Sequence, residues 1–287
     1  MSVPRLFCFG FGYTAGFLAQ ELMAEGWSVA GTTRDGARDS VPADIAIYPF
    51  TGGLPLADAP SALAGTTHLL LSIPPDVTGD PVAAEHGDDI AGLPGLRWVG
   101  YLSATSVYGD RAGGWVDEDS PLDPSGARGR RRVMAEAAWR DLQGRTGLPL
   151  HIFRLAGIYG PGRSALDAVR HGRAQRIDNP GHVFSRIHVA DIVAALRASM
   201  ARPDPGAIYN LADDEPAPPA AVIAHACALL RLPAPPLVPL AGAALSPTAR
   251  SFYDDNKRVA NRRLKEALGI RLRYPSYRDG LAALLAE

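Results

Sequence analysis

The chain has 287 residues, 47% of them hydrophobic, and a formal net charge of −1. This composition supports a large folded core, and the balanced charge excludes the strongly basic face that nucleic-acid-binding proteins use. With only two cysteines, neither a disulfide framework nor a cysteine-rich metal site is expected. The N-terminus has no signal-peptide pattern and no apolar run is long enough to cross a bilayer. We therefore expect a cytoplasmic protein without a membrane segment.

The first predicted element is a strand, a glycine turn and a helix over residues 6–25. Gly10 permits a tight turn and Gly12 permits a close approach of pyrophosphate to the backbone, while Ala15 fits the third position of a G-x-G-x-x-G/A pattern. The phosphates would lie at the amide-rich start of the helix. This order of elements favours nucleotide binding over a plain turn, and it predicts the following pyrophosphate contacts: Gly10, Phe11, Gly12, Tyr13 and Thr14.

Further strands alternate with helical segments along the chain. The apolar runs that predict strands are residues 27–34, 45–48, 68–73, 97–103, 150–155 and 207–211. The alternation predicts an α/β fold with a Rossmann-like, doubly wound and mostly parallel sheet. We expect a nucleotide-binding domain over residues 1–163 and a smaller, mostly substrate-side C-terminal lobe over 164–287. Residues 186–211 are expected to return to the sheet.

The end of the second strand bears on the choice of cofactor. Where an NAD-binding site usually has an acid, the chain has Thr33 and Arg34, and an arginine can pair with a 2′-phosphate. This predicts NADP, with Thr33 and Arg34 at the adenosine ribose. NAD stays open because Asp35 is one residue away, and Arg34 could instead be a solvated loop cation. Leu71, Ser72 and Ile73 are expected to pass over the cofactor.

Five segments after the glycine turn resemble, in order, motifs of one enzyme family. They are residues 101–110 (the strand-end motif), 114–121 ("E-x-x-P"), 154–162 ("R-x-x-x-x-Y-G-P-G"), 187–191 and 209–211. Together they are similar to the extended short-chain dehydrogenases/reductases of the NAD-dependent epimerase/dehydratase group. The resemblance implies a nucleotide over the strand ends, with Tyr159 near it, and a C-terminal lobe that closes on a small-molecule substrate. A homodimer is left open.

The family's catalytic pair is absent from the expected helix. The family uses Tyr-x-x-x-Lys, and alignment on Glu136 places Arg128 and Arg132 at these two positions. A guanidinium stays protonated and cannot shuttle a proton. The family's Ser/Thr position falls on Ala104. The polar residues left as catalytic candidates are Ser103, Thr105, Tyr108, Arg128 and Arg132.

A plainer interpretation makes residues 128–132 a solvated helix start, with Arg132 and Glu136 forming an i,i+4 pair. The buried face of that helix is then predicted to contain Val133, Met134, Ala137, Ala138 and Leu142. Arg186 could reach a substrate anion, whereas His188 is expected to be packed. No metal is expected, because the histidines lack metal-ligand spacing.

Two functions remain open at this stage. One is hydride transfer to or from a carbon bearing oxygen, on a sugar nucleotide or another small anionic substrate. The other is a non-catalytic NADP-binding redox sensor or regulatory module.

Overall fold

The computed structural model describes residues 3–37 and 41–286, without the side chain of Thr248. The strands are β1 (Arg5–Phe9), β2 (Ser28–Thr33), β3 (Ala46–Pro49), β4 (His68–Leu71), β5 (Trp98–Ala104), β6 (Trp115–Val116), β7 (Leu150–Leu155), β8 (Gly157–Tyr159), β9 (Arg176–Asp178), β10 (Arg186–His188), β11 (Ile208–Leu211), β12 (Leu237–Pro239) and β13 (Arg258–Val259). The helices are α1 (Tyr13–Ala24), α2 (Ala59–Leu63), α3 (Pro81–Ala91), α4 (Ala127–Thr146), α5 (Ala165–Arg170), α6 (Val189–Ala201), α7 (Pro219–Leu230), α8 (Pro247–Arg250), α9 (Arg262–Leu268) and α10 (Tyr277–Ala286).

Seven strands form one sheet in the order β11-β7-β5-β4-β1-β2-β3. The pairs β2–β3, β1–β2, β1–β4 and β4–β5 are parallel. The chain order reverses between β1 and β4, and in doubly wound sheets this switch point is where ligands bind. The predicted α/β, Rossmann-like sheet is confirmed. Within residues 186–211, only β11 belongs to this sheet, because β10 pairs with β8 in a separate two-stranded sheet.

The chain divides into two compact units that interleave in sequence. Unit 1 contains the described residues up to Ala104, together with Arg130–Arg154 and Leu196–Ile208. Unit 2 contains Thr105–Gly129, Leu155–Ala195 and the described residues from Tyr209 onward. The domain boundary predicted at residue 163 stays a prediction. None of the described helices combines the length and the hydropathy needed to span a membrane.

The core of unit 1 lies on the large sheet. Apolar side chains of β1, β4 and β5, among them Phe7, Leu69 and Val99, are fully buried. A continuous apolar run of this kind is typical of strands that are covered on both faces. In unit 2 a smaller core joins α5, α7 and α10 through Leu166 and Tyr277.

Histidines and tryptophans alternate at the N-terminal edge of the large sheet. His68 is the first residue of β4 and Trp98 the first of β5, and their ring centroids are 6.4 Å apart. Trp27 lies 4.6 Å from His68, and His151 lies 5.9 Å from Trp98. Burial lowers the pKa of His68 to about 4. This row is therefore built from neutral imidazoles.

The predicted buried face of α4 is wrong at three positions. Met134 is 60% exposed, and Ala137 and Ala138 are also exposed. The buried side instead contains Ala135, Glu136, Trp139 and Leu142. The helix is turned so that the carboxylate of Glu136 can be enclosed, and this is favourable because Arg154 of β7 pairs with it.

Candidate functional site

The glycine turn between β1 and α1 follows the predicted geometry. Gly10 has a φ of +90°, and a Cβ there would lie 2.9 Å from Cγ1 of Ile73. Gly12 precedes α1 with extended backbone and no side-chain cap, and no described atom lies within 4 Å of the position that its Cβ would take. Open space thus adjoins the first amides of α1, where an anion is favoured.

Residues at the ends of β2 and β4 are hydrogen-bonded to the glycine turn and to the end of β1. The backbone N–H of Gly10 donates to Oγ1 of Thr32 at 2.9 Å, and that of Phe11 donates to the Thr32 carbonyl at 2.6 Å. After β4, the N–H of Ser72 donates to the carbonyl of Phe9 at 2.9 Å. The remaining predicted neighbours are Leu71 and Thr14, both buried, and Tyr13, whose ring packs on that of Phe17.

In the segment after β2, the side chains of Arg34 and Asp35 have different surroundings. Arg34 is exposed directly after the last residue of the strand. Oδ1 of Asp35 accepts the N–H of Ala37 at 2.9 Å, and Oγ1 of Thr33 donates to the Ala37 carbonyl at 3.2 Å. The carboxylate is therefore part of a local turn of the Asx type.

A buried polar network lies at the end of β5 in unit 1. Oγ of Ser103 donates to Oε1 of Glu136 at 2.5 Å, and Nη2 of Arg154 donates to Oε2 at 2.8 Å. The side chains of Glu136 and Arg154 are both 2% exposed. Glu136 thus pairs with Arg154, and the alternative i,i+4 pair with Arg132 is wrong. The Ser103 hydroxyl gives its single proton to Glu136 and has none to offer a ligand.

Arg132 is held by the backbone of β5. Its Nη1 donates to the carbonyl of Leu102 at 2.6 Å and to the hydroxyl of Tyr101 at 3.3 Å. Tyr101 is fully buried, and this burial raises its pKa above the ordinary tyrosine value. Tyr101, Glu136 and Arg154 belong to motifs that the sequence analysis used, but their hydrogen bonds to one another and to the candidates could not be inferred from their separation in the chain.

The other catalytic candidates belong to unit 2. Thr105 is half-buried and opens a 3-10 turn, Thr105–Tyr108. Tyr108 is fully buried, and its hydroxyl donates to Oδ1 of Asn210 at 2.7 Å. Arg128 is exposed, with its guanidinium carbon 4.9 Å from the ring centroid of Phe252. The catalytic role of all five candidates stays a prediction.

Unit 2 contains a cavity of about 580 Å³ that is rich in arginine. Arg186 of β10 is half-buried and lines it, and Arg163 and Arg173 line it with exposed side chains. Nη1 of Arg186 donates to the carbonyls of Phe184 at 2.8 Å and Ala217 at 3.0 Å. Burial lowers the pKa of Arg186 below its ordinary value. A cavity of this size is typical of small-molecule sites.

Tyr159 and His188 lie beside this cavity in unit 2. Tyr159 lines it and donates its hydroxyl to the carbonyl of Ser276 at 3.2 Å, and burial raises its pKa. His188 is 3% exposed, its Nδ1 accepts the N–H of Ala190, and burial lowers its pKa to about 4. His188 is thus a packed, neutral histidine, as its sequence context indicates.

Asp213, which sequence reasoning missed, is the acid closest in effect to Arg186. It is 1% exposed, and its N–H donates to the carbonyl of Arg186 at 2.6 Å. Oδ1 accepts the N–H of Glu215, whereas Oδ2 has no hydrogen-bond partner among the described residues. Burial raises the pKa of Asp213 to about 8, so the neutral acid predominates at pH 7. In sequence it reads as one of three solvated loop acids.

In the described part of the chain, no three His, Cys, Asp or Glu side chains are grouped as a metal site would require.

No family model matches the sequence. The chain is 30% identical to protein YeeZ of Escherichia coli strain K12 over 213 residues, which cover 70% of this chain and 75% of YeeZ. The structure of a functionally unknown conserved protein from Silicibacter pomeroyi is 53% identical, with a TM-score of 0.89 and 99% coverage of both chains. UDP-glucuronic acid 4-epimerase from Bacillus cereus, solved with NAD, has a TM-score of 0.77 at 15% identity, covering 98% of this chain and 97% of that one. The last of these likenesses shows a shared fold.

Proposed function

Because this chain belongs to the NAD-dependent epimerase/dehydratase family of extended short-chain dehydrogenases/reductases, we propose that it is an NADP-dependent oxidoreductase. In this proposal, hydride is transferred to or from a carbon that bears oxygen on a small anionic substrate. Nicotinamide, when bound, supplies or accepts the hydride. The residues of the chain bind the cofactor and substrate and stabilise charge.

The glycine turn is the observation that carries the proposal. Gly10 has a backbone conformation that favours glycine and touches Ile73, while the space beside Gly12 is open toward the start of α1. We propose that the diphosphate occupies this space and accepts hydrogen bonds from the amides of residues 11–14. Leu71, Ser72 and Ile73 would border the cofactor on the β4 side.

The segment after β2 supports NADP over NAD. Asp35 accepts the N–H of Ala37, so its carboxylate already has a partner within its own turn. Arg34 is exposed beside it and can form a charge-assisted fork with a 2′-phosphate. We propose that Thr33 and Arg34 hold the adenosine ribose and its phosphate.

The anionic substrate is proposed from the cavity of unit 2. Arg186, Arg163 and Arg173 line it, and Arg186 is held in place by two backbone carbonyls. Tyr159, which also lines this cavity, would contact the substrate or the nicotinamide end of the cofactor. Relatives of similar fold are solved with nucleotide sugars and NAD, among them the epimerase from B. cereus.

The catalytic assignment follows from which side chains remain available. Ser103 and Arg132 are hydrogen-bonded within the buried network of unit 1, and Tyr108 donates to Asn210. We propose that Thr105 and Arg128 contact the reacting group, whereas the hydrogen bonds of Ser103, Arg132 and Tyr108 stabilise the unit in which each lies. A guanidinium stabilises a developing oxyanion but cannot donate its proton. The proton on the product oxygen would then come from water.

The experiment measures binding of NADPH and NADH by fluorescence and turnover with a panel of carbonyl compounds. Gly12→Val should weaken both cofactors about 100-fold because its side chain fills the phosphate space. Arg34→Ala should weaken NADPH about tenfold and leave NADH within about twofold. Gly144→Val and Arg97→Ala, at an open helix glycine and an exposed arginine of unit 1, are the matched controls. Equal losses for the two cofactors in Arg34→Ala would contradict the NADP preference.

A binding-only sensor is the second candidate, and the arginines at positions 128 and 132 favour it. The family's proton-shuttling tyrosine and its lysine are replaced, and no side chain among the five candidates is a ready acid at neutral pH. Tight NADPH binding without turnover across the panel would support this candidate. Oxidation of NADPH that depends on any one substrate would eliminate it.

The cytoplasmic location and the homodimer expected from sequence stay proposals. Light scattering of the purified protein at several concentrations tests the second of them.

A further inference from the structure

The lining of the unit 2 cavity combines charged and apolar side chains. The arginines in it are Arg163, Arg173 and Arg186. Helices α7 and α10 contribute apolar side chains to the lining, including Val222, Ile223 and Leu281. A ligand that complements both kinds of side chain must be charged at one end and apolar in its body.

Arg186 is the anchor for the charged end. Among the described residues the hydrogen bonds of its guanidinium involve only Nη1, and no ion pair within 4 Å includes it. The edge formed by Nε and Nη2 is therefore available to a planar carboxylate, which arginine binds through two parallel hydrogen bonds. Arg163 and Arg173 are exposed, so solvent screens their charges and Arg186 supplies most of the discrimination.

Asp213 does not neutralise this arginine. It is the acid with the largest effect on Arg186, but its own pKa is raised to about 8 by burial. At neutral pH the pair thus carries a net positive charge inside unit 2. A bound monoanion would remove the cost of leaving a half-buried cation without a counter-charge.

The lining favours an apolar body over a nucleotide sugar. Its polar side chains are bonded within the protein, because Ser164 donates to Asp167 at 2.6 Å and Gln175 donates to the carbonyl of Ala244 at 3.2 Å. Hydroxyl groups and a nucleobase edge lose their hydrogen bonds to water when they are buried, and the side chains of Val222, Ile223 and Leu281 offer none in return. An aliphatic or aromatic body loses nothing and gains from burial against the same side chains.

Resting on the proposed function and deepening it, we propose that this cavity binds a small organic carboxylic acid with an apolar, ring-sized body. Arg186 holds the carboxylate through its Nε–Nη2 edge. Ile223 and Val222 of α7 pack against the body. The substrate class is therefore apolar monocarboxylates, in contrast to nucleotide sugars.

Calorimetry on the full chain, with and without NADPH, tests this with benzoate, cinnamate, 3-phenylpropionate and octanoate. Each acid is compared with its primary amide, and UDP-glucose and inorganic phosphate are added as anions without an apolar body. At least one acid should bind about tenfold more tightly than its amide and more tightly than UDP-glucose. If no acid exceeds its amide, or if UDP-glucose binds most tightly, the inference is overturned.

Variants locate the binding in the cavity. Arg186→Gln should weaken binding of the best acid about 30-fold. Arg186→Lys should have an affinity between those of Arg186→Gln and the wild type, because lysine keeps the charge but loses the two parallel hydrogen bonds. Ile223→Asn should weaken the acid about fivefold and leave phosphate unchanged. Arg170→Gln and Leu232→Asn, at exposed positions outside the cavity lining, are the controls. If neither Arg186→Gln nor Ile223→Asn changes the affinity for the acid, the assignment is overturned.

The two proposals fail in different ways. NADPH binding to the wild type is measured without any carboxylic acid present. Failure to bind NADPH would therefore contradict the proposed function and would not test the carboxylic acid. Normal NADPH binding with preferential capture of UDP-glucose contradicts the carboxylic acid and leaves the oxidoreductase intact.

Discussion

Two arginines in the two units illustrate opposite uses of an enclosed cation. Arg154 of unit 1 is matched by Glu136, and each side chain is 2% exposed. Arg186 of unit 2 donates to two carbonyls, and the acid with the largest effect on it, Asp213, has a pKa raised to about 8. Arg154 therefore has a charged partner within the protein. Arg186 has no ion pair among the described residues, and this favours binding of an anionic ligand.

The buried ion pair also explains why Ser103, a catalytic candidate from sequence, has no proton to offer a substrate. Ser103 gives its proton to Glu136. Polar side chains at a family motif are therefore insufficient as a sign of catalysis when an enclosed partner already satisfies them. Four measurements test whether Arg154 and Arg186 differ in this way.

Removing each arginine should give the largest contrast. Arg154→Met leaves Glu136 enclosed without a partner and should lower the free energy of unfolding by about 3–5 kcal/mol. Arg186→Met should cost less than about 1 kcal/mol, because it replaces a desolvated cation by an apolar chain. Urea denaturation measures both. The double variant Arg154→Met/Glu136→Leu should be more stable than Arg154→Met, and equal losses at Arg154 and Arg186 would contradict the comparison.

Asp213 should make the stability of unit 2 depend on pH in an unusual direction. Its native pKa is about 8 and its ordinary value is 3.8, so the native state holds a proton that the unfolded state has lost. Stability from this group therefore falls as pH rises from about 4 to about 8, by roughly 5–6 kcal/mol. Asp213→Asn should abolish that slope. Parallel pH–stability curves for the wild type and the variant would refute the raised pKa.

Two buried histidines, one in each unit, should lower the stability of the protein at acidic pH. Burial lowers the pKa of both His68 and His188 from 6.5 to about 4, so the unfolded state binds their protons first as pH falls. Stability should then drop between these two values by roughly 2 kcal/mol for each histidine. His68→Gln and His188→Gln should each flatten part of this acid limb in thermal melts. A limb that is unchanged in both variants would mean that carboxylates alone produce it.

Ser103 should show the smallest effect. Ser103→Ala removes one hydrogen bond to the Glu136 carboxylate and should cost about 1 kcal/mol of unfolding free energy. NADPH affinity should stay within about twofold, because the hydroxyl already has an enclosed partner. A large loss of turnover with unchanged stability would instead assign Ser103 to catalysis.

Sequence patterns predicted the parts of this protein that depend on local order. The glycine turn, the parallel strands and the position of Arg34 after β2 follow from short segments whose neighbours are close in the chain. The face of α4 was wrong because apolar spacing placed Met134 inside, whereas Glu136 is enclosed by Arg154, 18 residues away. Apolar periodicity does not register a carboxylate whose counter-ion comes from another element.

The cavity of unit 2 was out of reach for a similar reason. Arg186 could be identified as a residue for an anion, but the apolar part of the lining comes from Val222 of α7 and Leu281 of α10, 36 and 95 residues later in the chain. The sequence does not distinguish Asp213 from its neighbours Asp214 and Glu215, because only the folded surroundings determine which of the three is dehydrated.

The interleaving of the two units has a consequence for how the chain can be cut. The polypeptide passes from one unit to the other five times, at 104/105, 129/130, 154/155, 195/196 and 208/209. No cut at one of these junctions yields one whole unit without part of the other, so neither unit can be produced alone as one continuous fragment. Nicking the backbone at a single exposed loop should instead leave a non-covalent complex whose two pieces dissociate only on global unfolding.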